Sequence, residues 1–137
     1  MKQYKSYGNY EKHPTIPVDT DAWIGTEKIA KQIYAYCADK KKCVVVFECY
    51  PGTSRQEIDS IVHALTPCVI IDADDCAFSP EKLTAAWKET LTDDRVFGKM
   101  TTAHLSDFYE PGRIGAAQSL LNQTESGPCV VVGTGAP

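Results

Sequence analysis

Long apolar runs are missing from this 137-residue chain, and the longest, such as CVVVF at 43–47 and CVII at 68–71, have the length of a strand. A membrane-crossing helix needs about 20 apolar residues, so none is expected. The opening MKQYKSYGNY is too polar and aromatic for a secretory signal. Cations are in the minority, with 14 Lys and Arg against 18 Asp and Glu and a net charge of -4. Nucleic acid, which calls for Lys and Arg clustered over a face, is therefore not an expected partner. The one basic run, Lys40-Lys41-Lys42, falls where a helix should hand over to a strand, and the helix dipole accounts for it there. Histidine is scarce: His13, His63 and His104 lie far apart without ligand spacing, so no metal site is expected. There is no C-x-x-C pair. Cys43, Cys49, Cys68 and Cys129 lie in or beside apolar strand cores and read as buried thiols, which favours a reducing, cytoplasmic setting.

What is present fits one globular domain, since 43% hydrophobic and 23% charged residues over this length leave no room for a second core. Residues 1–24, with Tyr4, Tyr7, Tyr10 and the stretch HPTIPV, have prolines and no sustained period, and predict an extended arm. Residues 25–137 predict a single α/β domain. Ile29, Ile33, Tyr36 and Cys37 recur at helical spacing from Gly25 to about Lys40. Residues 43–49, apolar apart from Glu48, form a run like that of a strand covered on both faces. Ser54 and Glu57 have the spacing of a capping box, ahead of an amphipathic helix through Ile58, Ile61, Val62 and Leu65 that Pro67 ends. A second strand spans Cys68 to Asp72. Ser79-Pro80-Glu81 starts a further helix with Leu83, Ala86, Trp87 and Thr90 on one face. Residues 94–101 predict a short strand or an irregular turn. A last helix covers Arg113 to about Gln123, and a final strand covers 128–133. Strands separated by helices imply parallel pairing with right-handed crossovers, and the expected architecture is an α/β three-layer sandwich with a mainly parallel sheet.

Three places have the residue types for chemistry. The first, Tyr50-Pro51-Gly52-Thr53-Ser54, stands where a strand meets a helix N-terminus, and free N–H groups there favour a phosphate. A Walker-type loop would add Lys, yet Arg55 follows Ser54 and is the only cation nearby. From the first helical turn its side chain is expected to point to solvent. Pro51 removes a donor, so an ordinary βα connection is the favoured reading. The second, Asp72-Ala73-Asp74-Asp75, sits at the carboxyl end of a strand, where a carboxylate can hold Mg²⁺ or act as a base. Acidic residues also serve turns alone, and Asp72 is the best single candidate. The third is the terminal turn after PCVVVG, with Gly133 and Gly135. A lone G-x-G is a weak phosphate signal; the abrupt end after it suggests a domain from a longer protein, with an unfinished sheet edge beside the last strand.

Taken in order, YEKHPTIPV, VVVFECYPG, VIIDADD, LTDDRVFG and VVVGTGA resemble the amino-terminal region of large bacterial class I mannose-6-phosphate isomerase-type proteins. In those proteins a degenerate P-loop nucleoside-kinase-like domain precedes a cupin isomerase domain. The resemblance implies a non-catalytic accessory or regulatory domain, with a following cupin domain or a second copy as partner, and zinc only in that cupin. A standalone module binding a sugar phosphate or nucleotide is the alternative, and a small-molecule kinase ranks behind it, because ECYPGTSRQE lacks the Lys. The candidate ligand residues are Tyr50, Gly52, Thr53, Ser54, Arg55, Asp72, Gly133 and Gly135.

Overall fold

Cys129, Val130, Val131 and Val132 are consecutive apolar residues and all are buried. A strand can bury successive residues only when both its faces are covered, so this run belongs at the centre of a sheet. The computed structural model, which describes residues 15, 17, 19–50, 52–94 and 97–136, places it there. Strand β1 is Lys42–Glu48, β2 is Val69–Asp72 and β3 is Gly127–Gly133; the order is β1-β3-β2 and both pairings are parallel. Among the described residues there are four α-helices: α1 Thr26–Cys37 precedes β1, α2 Arg55–Leu65 joins β1 to β2, and α3 Pro80–Ala86 and α4 Pro111–Gln123 lie between β2 and β3. Among the described residues no helix is long and apolar enough to cross a membrane. The arm's Tyr4, Tyr7 and Tyr10 lie outside the described residues, as do Pro51, Arg95 and Val96.

Chain direction explains where the helices lie. From β1 the chain passes over β3 to β2 through α2, then returns to β3 through α4. A right-handed crossover that reverses its direction must use the opposite face. Accordingly, Ala30 of α1 and Ile61, Val62 and Leu65 of α2 form one core with Val130 and Val132, backed by Val45 and Phe47. On the other face, Ile114, Ala117 and Leu121 of α4 line a cleft with Ile71 and Val131.

Several expectations need correction. β1 is not covered on both faces: its exposure alternates, and Val44 and Val46 are 45% and 42% exposed. The last strand is central, so the sheet edges among the described residues are β1 and β2. Residues 97–101 have no regular structure. The lysine run falls between α1 and β1 as expected, but past the last turn of α1, which has no basic residue, and Lys42 Nζ donates to Leu121 C=O in the last turn of α4. That is still a cation at a helix C-terminus, but of a helix distant in sequence. The thiol reading also changes. Cys37 and Cys43 are joined as a disulfide with Cα atoms 5.5 Å apart, Cys68 is exposed, and Cys49 is half-buried. Since most disulfides belong to oxidising surroundings, cysteine usage no longer argues for a reducing compartment.

The two helix starts differ in a testable way. Ser79 Oγ accepts from Lys82 N–H at 3.3 Å at the start of α3, as its sequence predicts. Ser54 is the N-cap of α2 but its side chain caps nothing; Glu57 N–H donates to the Ser54 carbonyl at 3.2 Å, so the expected capping box is not formed. Ser79→Ala should therefore cost about 1 kcal/mol of stability in urea titration. Ser54→Ala should cost under about 0.5 kcal/mol. Equal losses would contradict this assignment of the caps.

Candidate functional site

In a parallel sheet all carboxyl ends lie on one side, so the turns after β1, β2 and β3 meet at one corner. The first of them closes on itself: Thr53 N–H donates to Tyr50 C=O at 3.0 Å, and Gly52 sits at φ 93° with open space around its Cα. Tyr50 is 77% exposed. The left-handed φ explains the glycine, since a Cβ there would be strained by the backbone alone.

Arg55 does not point to solvent. Its Nη2 lies 2.6 Å from Asp72 Oδ2, its Nε 2.9 Å from Asp59 Oδ1, and its Nη1 3.9 Å from Asp74 Oδ2. The guanidinium fork reaches along its own helix to the residue four on and across to the end of β2, because carboxylates wait at both places. Hydrogen bonds to Asp72 and then Asp59 hold its pKa above the ordinary arginine range. Arg55 and Asp72 are thus brought together, as partners of each other.

The third turn is tied down in the same manner. Glu48, the last residue of β1, accepts from Gly135 N–H at 2.8 Å and from Ala136 N–H at 3.0 Å. Asp74 accepts from Thr134 N–H at 3.1 Å, and Thr134 Oγ1 donates to Cys49 C=O at 3.0 Å. Tyr109 donates its hydroxyl to Thr134 C=O, and burial, then the nearby Asp74 and Glu48 charges, push its pKa up, which keeps it a donor. A sequence of backbone N–H groups in a glycine turn is an anion-binding nest. Here the anion at Gly135 and Ala136 is the Glu48 carboxylate of the chain itself.

The glycines of this turn have steric reasons as well. A Cβ on Gly133 would stand 3.0 Å from Ala73 Cβ and 3.1 Å from Asp74 N; one on Gly135 would stand 2.9 Å from Leu105 Cδ2 and Tyr109 Oη.

Glu48, Asp59, Thr134 and Tyr109 were not singled out by sequence reasoning, whereas Asp74 stood in the acidic run after the second strand. Glu48 had a signal, as the one charge closing an apolar strand. Asp59 had one too, four residues after Arg55. Thr134 and Tyr109 had none, because their partners lie 85 and 25 residues away in the chain. Among the described residues, no group of three or more His, Cys, Asp or Glu side chains converges as a metal site. Among the described residues, the Arg55 guanidinium faces Asp59, Asp72 and Asp74, with Glu48 at the neighbouring turn, and this excess of carboxylates opposes a phosphate.

Residues 25–137 match the family described as Domain of unknown function (DUF8485), and the chain belongs to that family. No curated protein and no solved structure matches it.

Proposed function

We propose that this member of the DUF8485 family is a non-catalytic accessory or regulatory domain, a degenerate form of a phosphate-binding α/β fold whose binding corner is closed by its own carboxylates. One observation supports this above the others: the Gly135 and Ala136 N–H groups and the Arg55 guanidinium, the donors a phosphate would use, already hold Glu48, Asp72 and Asp59. An incoming phosphate would have to displace bound carboxylates and then face their charge. A partner domain of mannose-6-phosphate isomerase type, with zinc in its own cupin site, is the association that the ordered sequence motifs support. The βα corner at Gly52, without a lysine, supports the degenerate nucleoside-kinase-like reading of the fold.

Isothermal calorimetry and thermal shift with Mg²⁺–ATP and with mannose 6-phosphate are the test. Neither ligand should bind or raise the melting temperature at millimolar concentration, because a ligand that binds only the folded chain must stabilise it. Low-micromolar binding that Arg55→Ala abolishes would reject the closed corner and favour a nucleotide- or sugar-phosphate-binding module.

A further inference from the structure

Among the described residues, β1 has β3 along one edge and no strand along the other. The hydrogen bonds at its ends reveal which amides face the open side. Gly127 N–H donates to Lys41 C=O, and Cys49 N–H donates to Gly133 C=O, so the odd-numbered residues direct their backbone groups at β3. Backbone groups alternate along a strand, and Lys42, Val44, Val46 and Glu48 therefore direct theirs outward. The same four side chains, two residues apart, share one face of the sheet. Val44 and Val46 are the exposed pair at its middle.

Natural edge strands are usually blunted by proline, a bulge, a central charge or shortness. β2 meets that rule, with four residues that end at Asp72. β1 does not: KCVVVFE has seven residues, no proline or glycine, and charges of opposite sign only at its two ends. That pattern is self-complementary when reversed.

We infer that β1 pairs antiparallel with β1 of a second copy of this chain, about a twofold axis at Val45, to make one continuous six-stranded sheet. This register sets Val44 against Val46 of the second copy, and Lys42 against Glu48 of the second copy, each pair occurring twice. The outward amides then exchange hydrogen bonds, the exposed valines cover one another, and opposite charges flank them. Lys42 and Glu48 have intrachain partners too, at Leu121 C=O and at Gly135 and Ala136 N–H. An ammonium has three donors and a carboxylate about four acceptor sites, so both have capacity left for the pairing.

Sedimentation equilibrium of the full chain at about 100 µM, a concentration that populates a complex of micromolar affinity, should show a dimer. Val44→Pro removes an outward N–H and spares the ladder to β3, so it should give a folded monomer. Lys42→Glu and Glu48→Lys should each weaken self-association by about tenfold, because each sets like charges opposite one another twice. Mixed in equal amounts, the two variants should form a heterodimer with near wild-type affinity, since every facing charge pair is again opposite. Folding defects cannot produce that rescue. A monomeric wild type would overturn the proposal and leave the edge to the chain's own residues or to another protein. A dimer that Val44→Pro leaves intact, or charge variants that the mixture does not rescue, would overturn it equally.

Discussion

Gly133→Val should lower the melting temperature by about 10–20 °C, the sum of two costs at one position. The backbone there has φ 136°, which L side chains rarely adopt, and strain of this kind costs about 1–3 kcal/mol. The added carbons must also fit against Ala73 Cβ and the Asp74 backbone and carboxylate, all within 3.1 Å of the first of them, an overpacking worth about 1–3 kcal/mol more. Gly52→Val is the comparison. Its φ of 93° is strained too, but nothing lies within 4 Å of its Cβ, so only the first cost applies. Thermal unfolding of both variants separates the effects. If Gly133→Val lost no more than Gly52→Val, the close packing of the terminal turn against the end of β2 would be wrong.

Leu65→Ala should cost about 2–5 kcal/mol in urea unfolding at constant m-value. Leu65 is 2% exposed in the last turn of α2, inside the core that joins α1, α2 and the Val130–Val132 face of the sheet. Removing three carbons there leaves a cavity that close-packed neighbours on three elements cannot collapse to fill. Leu120→Ala, in a helix but 46% exposed, should change stability by under about 0.5 kcal/mol. Similar losses for the two leucines would mean that α2 does not seal this core.

Local patterns were enough for most of the elements, although α3 stops at Ala86, short of the expected Trp87 and Thr90. The i, i+3, i+4, i+7 spacing of Ile58, Ile61, Val62 and Leu65 placed α2 and its buried stripe, and Ser79-Pro80 placed the start of α3 and its cap. These features depend on residues within one or two turns, and the sequence contains them whole. The candidate site was legible only in its parts. Asp72 and Arg55 were each visible as strand-end acid and helix-start cation, but their contact spans 17 residues. Its consequence is opposite to what either suggests alone: paired, they neutralise each other, and the helix start loses the cation that a phosphate needs. Likewise Gly133-Thr134-Gly135 looks like an anion nest until Glu48, some 87 residues away, is seen to fill it.

The clearest division lies between two runs of almost the same composition. CVVVF in β1 and CVVVG in β3 each predict a strand, and it is the first whose run reads as covered on both faces. By itself the sequence determined that each is a strand, that helices separate them, and that their pairing is parallel. Tertiary structure alone decided that β3 is central, with Cys129 and Val130 at 0% exposure, while β1 is an edge with Val44 and Val46 half in water. The physical reason is that burial belongs to a strand's neighbours. The return crossover through α4 puts β3 between β1 and β2 and lays its helix on the far face, which leaves that face of β1 open.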